Sequence, residues 1–142
     1  MSRSSTALAF GAALLLLGST ACGGGDKGPL AVASVQLTKD DGSGGDGDVV
    51  TGFHPADGAI HCVATLNKIQ SGAKVGLTLM AVDAGGAKNT QIVSTVLTTN
   101  AITNTADGKF TLPRAWPTGT YQCVVTLNGA PAKTVDFAVT PA

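Results

Sequence analysis

Apolar and polar side chains alternate one by one in short runs along most of this chain, and Gly, Pro, Asn and Asp cut the runs apart. Alternation with that period places one apolar stripe on one face of an extended strand, because successive strand residues point to opposite sides. The clearest runs are AIHCVATL at 59–66 and TYQCVVTL at 120–127. In the first, Ile60, Cys62, Ala64 and Leu66 share a face; in the second, Tyr121, Cys123, Val125 and Leu127 do. The same test predicts strands at 31–38, 49–53, 75–82, 91–98, 109–112 and 133–140.

Turn chemistry falls between these runs: PADG at 55–58, DAGG at 83–86, ADG at 106–108, PTG at 117–119 and NGAP at 128–131. Glycine supplies positive φ and proline a fixed φ where the chain must reverse. Asn128–Gly129 between two alternating runs predicts a tight hairpin, with Val135, Phe137 and Val139 continuing an inward face. About seven short strands at this spacing predict an all-β, antiparallel sandwich rather than a barrel, since two facing sheets need one inward stripe per strand. Phe53, Phe110, Tyr121 and Phe137 fall at core positions. Trp116, beside Pro117, is either a lid over one end of the sandwich or an exposed contact residue.

The alternation turns both Cys62 and Cys123 inward. A bond between them would close a loop of about 60 residues and stabilise a core of this size by about 4 kcal/mol in the chain-entropy treatment. The chain has three cysteines, so that pairing leaves Cys22 over. In an oxidising compartment an odd thiol stays free unless other chemistry consumes it.

The first 21 residues have a different pattern. Arg3 stands among small polar residues, an apolar stretch runs over 7–17, and Gly18, Ser19, Thr20 and Ala21 follow. This is the layout of an export signal. It is too short to cross a bilayer, which needs roughly 20 apolar residues. Two fates for Cys22 are open. Small residues at Ser19 and Ala21 permit ordinary cleavage and release as a secreted soluble protein. Alternatively, the segment Leu17 to Cys22 resembles the lipobox of bacterial lipoproteins, with Ser19 where the family usually has Leu. That resemblance implies that the Cys22 thiol is acylated, with palmitate among the acyl chains, and becomes the first residue of the mature protein. It also implies a lipid-anchored address in the cell envelope, and Gly23 after the cysteine implies the outer membrane of a Gram-negative bacterium. Residues 22–30, with Gly23, Gly24, Gly25, Asp26, Lys27, Gly28 and Pro29, read as a flexible tether to the membrane, and residues 31–142 as the domain.

The segment Gly119-Thr120-Tyr121-Gln122-Cys123 resembles the Tyr-x-Cys segment of immunoglobulin domains. Cys62 matches the first bridge cysteine, and Leu77 or Leu79 stands in the place of the family's tryptophan. The stretch FTLPRAWPTGTYQCVVTLNG also resembles the end of many bacterial exported immunoglobulin-like domains, where a Trp-Pro-x-Gly-x-Tyr turn leads into the penultimate strand. The resemblance implies an immunoglobulin-like sandwich, a tyrosine corner at Tyr121 and a Cys62–Cys123 bridge between sheets.

Composition narrows the function further. The nine acidic residues, all Asp, balance nine basic ones, and charged residues are only 13% of the chain, so nucleic acid is not an expected partner. Asp40, Asp41, Asp46 and Asp48 crowd the stretch KDDGSGGDGDVV and could offer oxygen ligands to calcium. Their spacing matches neither an EF-hand loop nor a calcium-binding repeat, and a solvated loop explains them equally. His54 and His61 are read as surface histidines, one in a turn and one pointing outward from the Cys62 strand; two imidazoles alone do not make a zinc site. There is no Gly-x-Ser-x-Gly elbow, and the carboxylates fall almost wholly in predicted loops, so neither hydrolase nor glycosidase chemistry is expected. The expected function is a noncatalytic, envelope-anchored binding or structural module without a cofactor. A small-ligand or calcium-binding envelope protein is the alternative from another class.

Overall fold

The computed structural model describes residues 28–142; the signal segment and Cys22 lie outside them. Among the described residues are nine strands and no helix: β1 (Val32–Asp40), β2 (Asp46–Val50), β3 (Gly52–Phe53), β4 (Ile60–Leu66), β5 (Lys74–Ala84), β6 (Ala87–Thr98), β7 (Thr105–Phe110), β8 (Gly119–Leu127) and β9 (Ala130–Val139). They form two sheets, ordered β2-β1-β4-β7 and β3-β9-β8-β5-β6.

Every pairing is antiparallel except one. The run predicted as a single strand at 49–53 divides after Val50: β2 pairs with β1, and β3 crosses to the other sheet and runs parallel to β9, Phe53 opposite Val139. The sandwich is therefore mixed rather than wholly antiparallel. Chain direction forces this, because a strand that changes sheets without reversing meets whichever orientation its new neighbour has.

Inward stripes form the core as the alternation requires. Ile60, Cys62, Ala64 and Leu66 on β4 face Val75, Leu77 and Leu79 on β5 and Tyr121, Cys123 and Val125 on β8, all buried. Burying each large aliphatic side chain contributes about 1.5–3 kcal/mol. Cys62 and Cys123 are joined by a disulfide across the two sheets, with Cα atoms 6.7 Å apart. Phe53, Tyr121 and Phe137 make an aromatic stack within this core: Tyr121 lies parallel to Phe137 and Phe53 meets Phe137 edge-on.

Turn chemistry succeeds at two hairpins. Asn128 and Gly129 both have positive φ, 51° and 84°, and close β8 on β9 with Leu127 opposite Ala130. Gly85 and Gly86, at 58° and 84°, do the same between β5 and β6. Such two-residue turns with positive φ match the right-handed twist of the strands they join.

One turn signal misleads. Ala106-Asp107-Gly108 is not a reversal but the middle of β7, which begins at Thr105 rather than Lys109. Gly108 sits opposite Cys62, and a Cβ there would stand 2.8 Å from the side chain of Leu77. The glycine serves close approach of the two sheets.

Candidate functional site

The antiparallel path sorts the loops between two ends. One end gathers the β1–β2 hairpin, residues 54–59, the Gly85–Gly86 turn and residues 111–118; the other gathers residues 67–73, residues 99–104 and the Asn128–Gly129 turn. The first end is closed by Trp116. Its backbone N–H donates to Pro55, its indole N–H donates to the carbonyl of Gly58, and its ring meets Tyr121 edge-on. Trp116 is 2% exposed, so it is the lid of this end rather than a contact residue. Tyr121 completes the corner: its hydroxyl donates to Pro117 O at 2.6 Å, and burial pushes its acidity weaker than that of a free tyrosine. A Cβ at Gly119, where φ is 146°, would lie 2.2 Å from Asp83 O, so only glycine lets β8 start beneath this lid.

The outer face of the four-stranded sheet carries a charged cluster. Alternation turns His61 away from Cys62, as expected, but the residue is not at the surface: it is fully buried. The reason is its neighbours. Its Nδ1 lies 2.8 and 2.9 Å from the two carboxylate oxygens of Asp107 on β7, and its Nε2 lies 3.2 Å from Asp40 Oδ2 at the end of β1. Lys109 Nζ stands 2.8 Å from the same Asp40 oxygen. Each ring nitrogen of His61 therefore faces a carboxylate. The Lys109 ammonium, then His61, then the Gly42 N–H hold the Asp40 carboxyl well below the usual carboxylate range. Directly opposite His61 on β1, Thr38 is also buried, and its hydroxyl has no hydrogen-bond partner.

Both nitrogens of the buried His61 ring are thus engaged within this cluster. Among the described residues no group of three or more His, Cys, Asp or Glu is placed to hold a metal ion. The four aspartates of the Asp-rich stretch do not converge. Asp40 belongs to the His61 cluster, and Asp41 folds back on its own turn. There Asp41 accepts the Ser43 hydroxyl and the N–H groups of Ser43 and Gly45, which lowers its pKa. Asp46 and Asp48 lie on β2. His54 is an exposed turn residue: its N–H donates to Asp57 Oδ2, and its Nδ1 donates to Thr140 O at 2.8 Å.

The His61 cluster is hidden in the sequence because its members lie in three segments of different character: Asp40 in the Asp-rich stretch, Asp107 in a turn signal and His61 in a strand. Only the register, with His61 opposite Thr38 on β1 and Lys109 on β7, and Asp107 two pairs further along opposite Val63, joins them. The strand alternation of His61 with Cys62 was the one available signal, and it gives the face without the company.

No family model matches the chain, and no curated protein matches it in sequence. Among solved structures, an immunoglobulin-like protein from Pseudomonas aeruginosa is similar with a TM-score of 0.56 at 10% identity, over 82% of this chain and 100% of that one. The likeness is one of fold, and it agrees with the sheet order and the bridge between β4 and β8: the domain is an immunoglobulin-like sandwich.

Proposed function

We propose that this chain is a lipid-anchored protein of the bacterial cell envelope whose folded part is a noncatalytic immunoglobulin-like module for binding or structural support. The observation that carries the reading is the arithmetic of sulfur. Cys62 and Cys123 are spent on each other inside the core, which leaves Cys22, at the end of an export-type segment and before a glycine-rich stretch, as the odd cysteine. Acylation consumes that thiol, and two or more acyl chains hold a protein to a bilayer where one holds it only reversibly. The folded part supports a noncatalytic role through its engaged groups: His61 has both nitrogens on carboxylates, Tyr121 donates to Pro117, and His54 is tied to the strand end at Thr140. A fold of this kind hosts many functions, so the partner must be found by experiment.

The test is the intact mass of the protein extracted from its own membranes. It should begin at residue 22, carry the mass of acyl chains on Cys22, and fall two hydrogens short for the Cys62–Cys123 bond. An unacylated protein recovered without detergent would replace this reading with that of a secreted soluble domain.

A further inference from the structure

We infer that the end of the sandwich made by residues 67–73, residues 99–104 and the Asn128–Gly129 turn is a lipid-contacting surface that rests on the bilayer holding the chain. The reading of the chain as membrane-anchored supplies the membrane; the chemistry of the end is independent of it.

The loops of this end are tied into one surface. Gly72 N–H donates to Thr99 O, the Thr99 hydroxyl donates to Gln70 O, Leu66 N–H donates to Asn104 O, and Asn128 N–H donates to Lys74 O. The described chain also begins here: the Lys68 amine donates to Gly28 O at 2.7 Å, and the Asn67 amide donates to Pro29 O at 2.8 Å. A tether preceding Gly28 would therefore draw this end, and not the Trp116 end, toward its anchor.

Two isoleucines protrude from this surface. Ile102, in the 99–104 loop, is 84% exposed, and Ile69, in the neighbouring 67–73 loop, is 53% exposed. Large aliphatic residues at loop tips gain nothing from water, and in an acyl interface they are buried. The tip is prepared for a drier setting, because the N–H groups of Ile102 and Thr103 are both accepted by the Asn100 side-chain oxygen, at 2.8 and 3.0 Å. Fewer backbone donors then lose water on contact.

Charge agrees. Of the nine aspartates, Asp26 lies outside the described residues; the other eight lie at mid-strand or toward the Trp116 end. The loops of the isoleucine end and the strand ends beside them hold Lys68, Lys74 and Lys133, and the carboxylate nearest them, Asp107, which shares a cleft with Thr99, Asn100 and Thr103, is bound to His61. Ammonium groups on flexible stems can reach lipid phosphates while isoleucines enter the interface, and an anionic leaflet attracts them.

The test uses the full chain reconstituted in vesicles of phosphatidylethanolamine and phosphatidylglycerol. Ile102→Cys, Ile69→Cys and, at the opposite end, Ser43→Cys are made singly and labelled with an environment-sensitive dye. The first two should show blue-shifted emission quenched by doxyl-labelled lipid, and the third neither. Labels at 102 and 69 that report water, or that are shielded yet not quenched by lipid, would overturn the inference; the latter would point to contact between copies. Intact mass of the same sample separates the two proposals. Acyl chains without quenching leave the anchor standing and remove the docking, whereas quenching without acyl chains does the reverse. In a Cys22→Ser background, Ile69→Ser with Ile102→Ser should weaken vesicle binding at least about tenfold, and unchanged binding would count against docking.

Discussion

His61 Nδ1 and the Asp107 carboxylate lie 2.8 Å apart on the outer face of the four-stranded sheet, and the histidine is fully buried while the carboxylate is one-third exposed. A buried polar ring depends on its partners more than an exposed one does, because a lost bond is not replaced by water. The cluster formed with Asp40 and Lys109 fastens β1, β4 and β7 from outside, opposite the disulfide that fastens β4 from within.

Asp107→Ala should accordingly lower stability to urea by about 1–3 kcal/mol, the cost of leaving one ring nitrogen buried without an acceptor. Asp107→Asn, whose side-chain oxygen can still accept, should lose less. Equal losses for the two variants would mean that Asp107 acts through something other than this bond.

Thr38 tests the same face in the opposite direction. Its buried hydroxyl lacks a partner, so Thr38→Val removes a desolvated polar atom and keeps the shape of the side chain. Stability should rise, by up to about 1–3 kcal/mol on the usual cost of an unsatisfied buried group. A fall in the urea midpoint would show that the hydroxyl is engaged in solution.

Acid should weaken the protein through Asp40. Its carboxyl titrates lower in the folded chain than in the unfolded one, chiefly through Lys109. A depressed carboxylate contributes stability that is complete above its ordinary value, near pH 4, and is lost as the pH falls toward the folded value. Lys109→Met removes the main cause. The variant should be less stable than the parent at pH 7, with the difference shrinking as the pH drops below about 4. Urea midpoints at a series of pH values measure this; a gap that stays constant or widens in acid would refute it.

Much of the fold was legible in the chain. Alternation located most of the strands, though neither the start of β7 nor the break between β2 and β3, and it turned Cys62 and Cys123 to the inside because a strand has only two faces. Asn128–Gly129 announced its hairpin because few other pairs tolerate two consecutive positive φ angles. What alternation could not show was which strand lies beside which. By sequence alone Asp107 falls in a turn signal and Asp40 in an Asp-rich loop, and only register sets both against His61. Gly108 looked like a reversal until the opposite sheet, with Leu77, closed over it.

Local sequence determined most of the strands, their two faces and the two tight hairpins, because those depend on φ, ψ and the period of side chains along a few residues. Tertiary structure alone decided that His61 is buried, that β3 changes sheets, and that Ile69, Ile102 and three lysines gather toward one end of the sandwich. Those properties belong to residues tens of positions apart, and only the path of the chain through two sheets makes them neighbours.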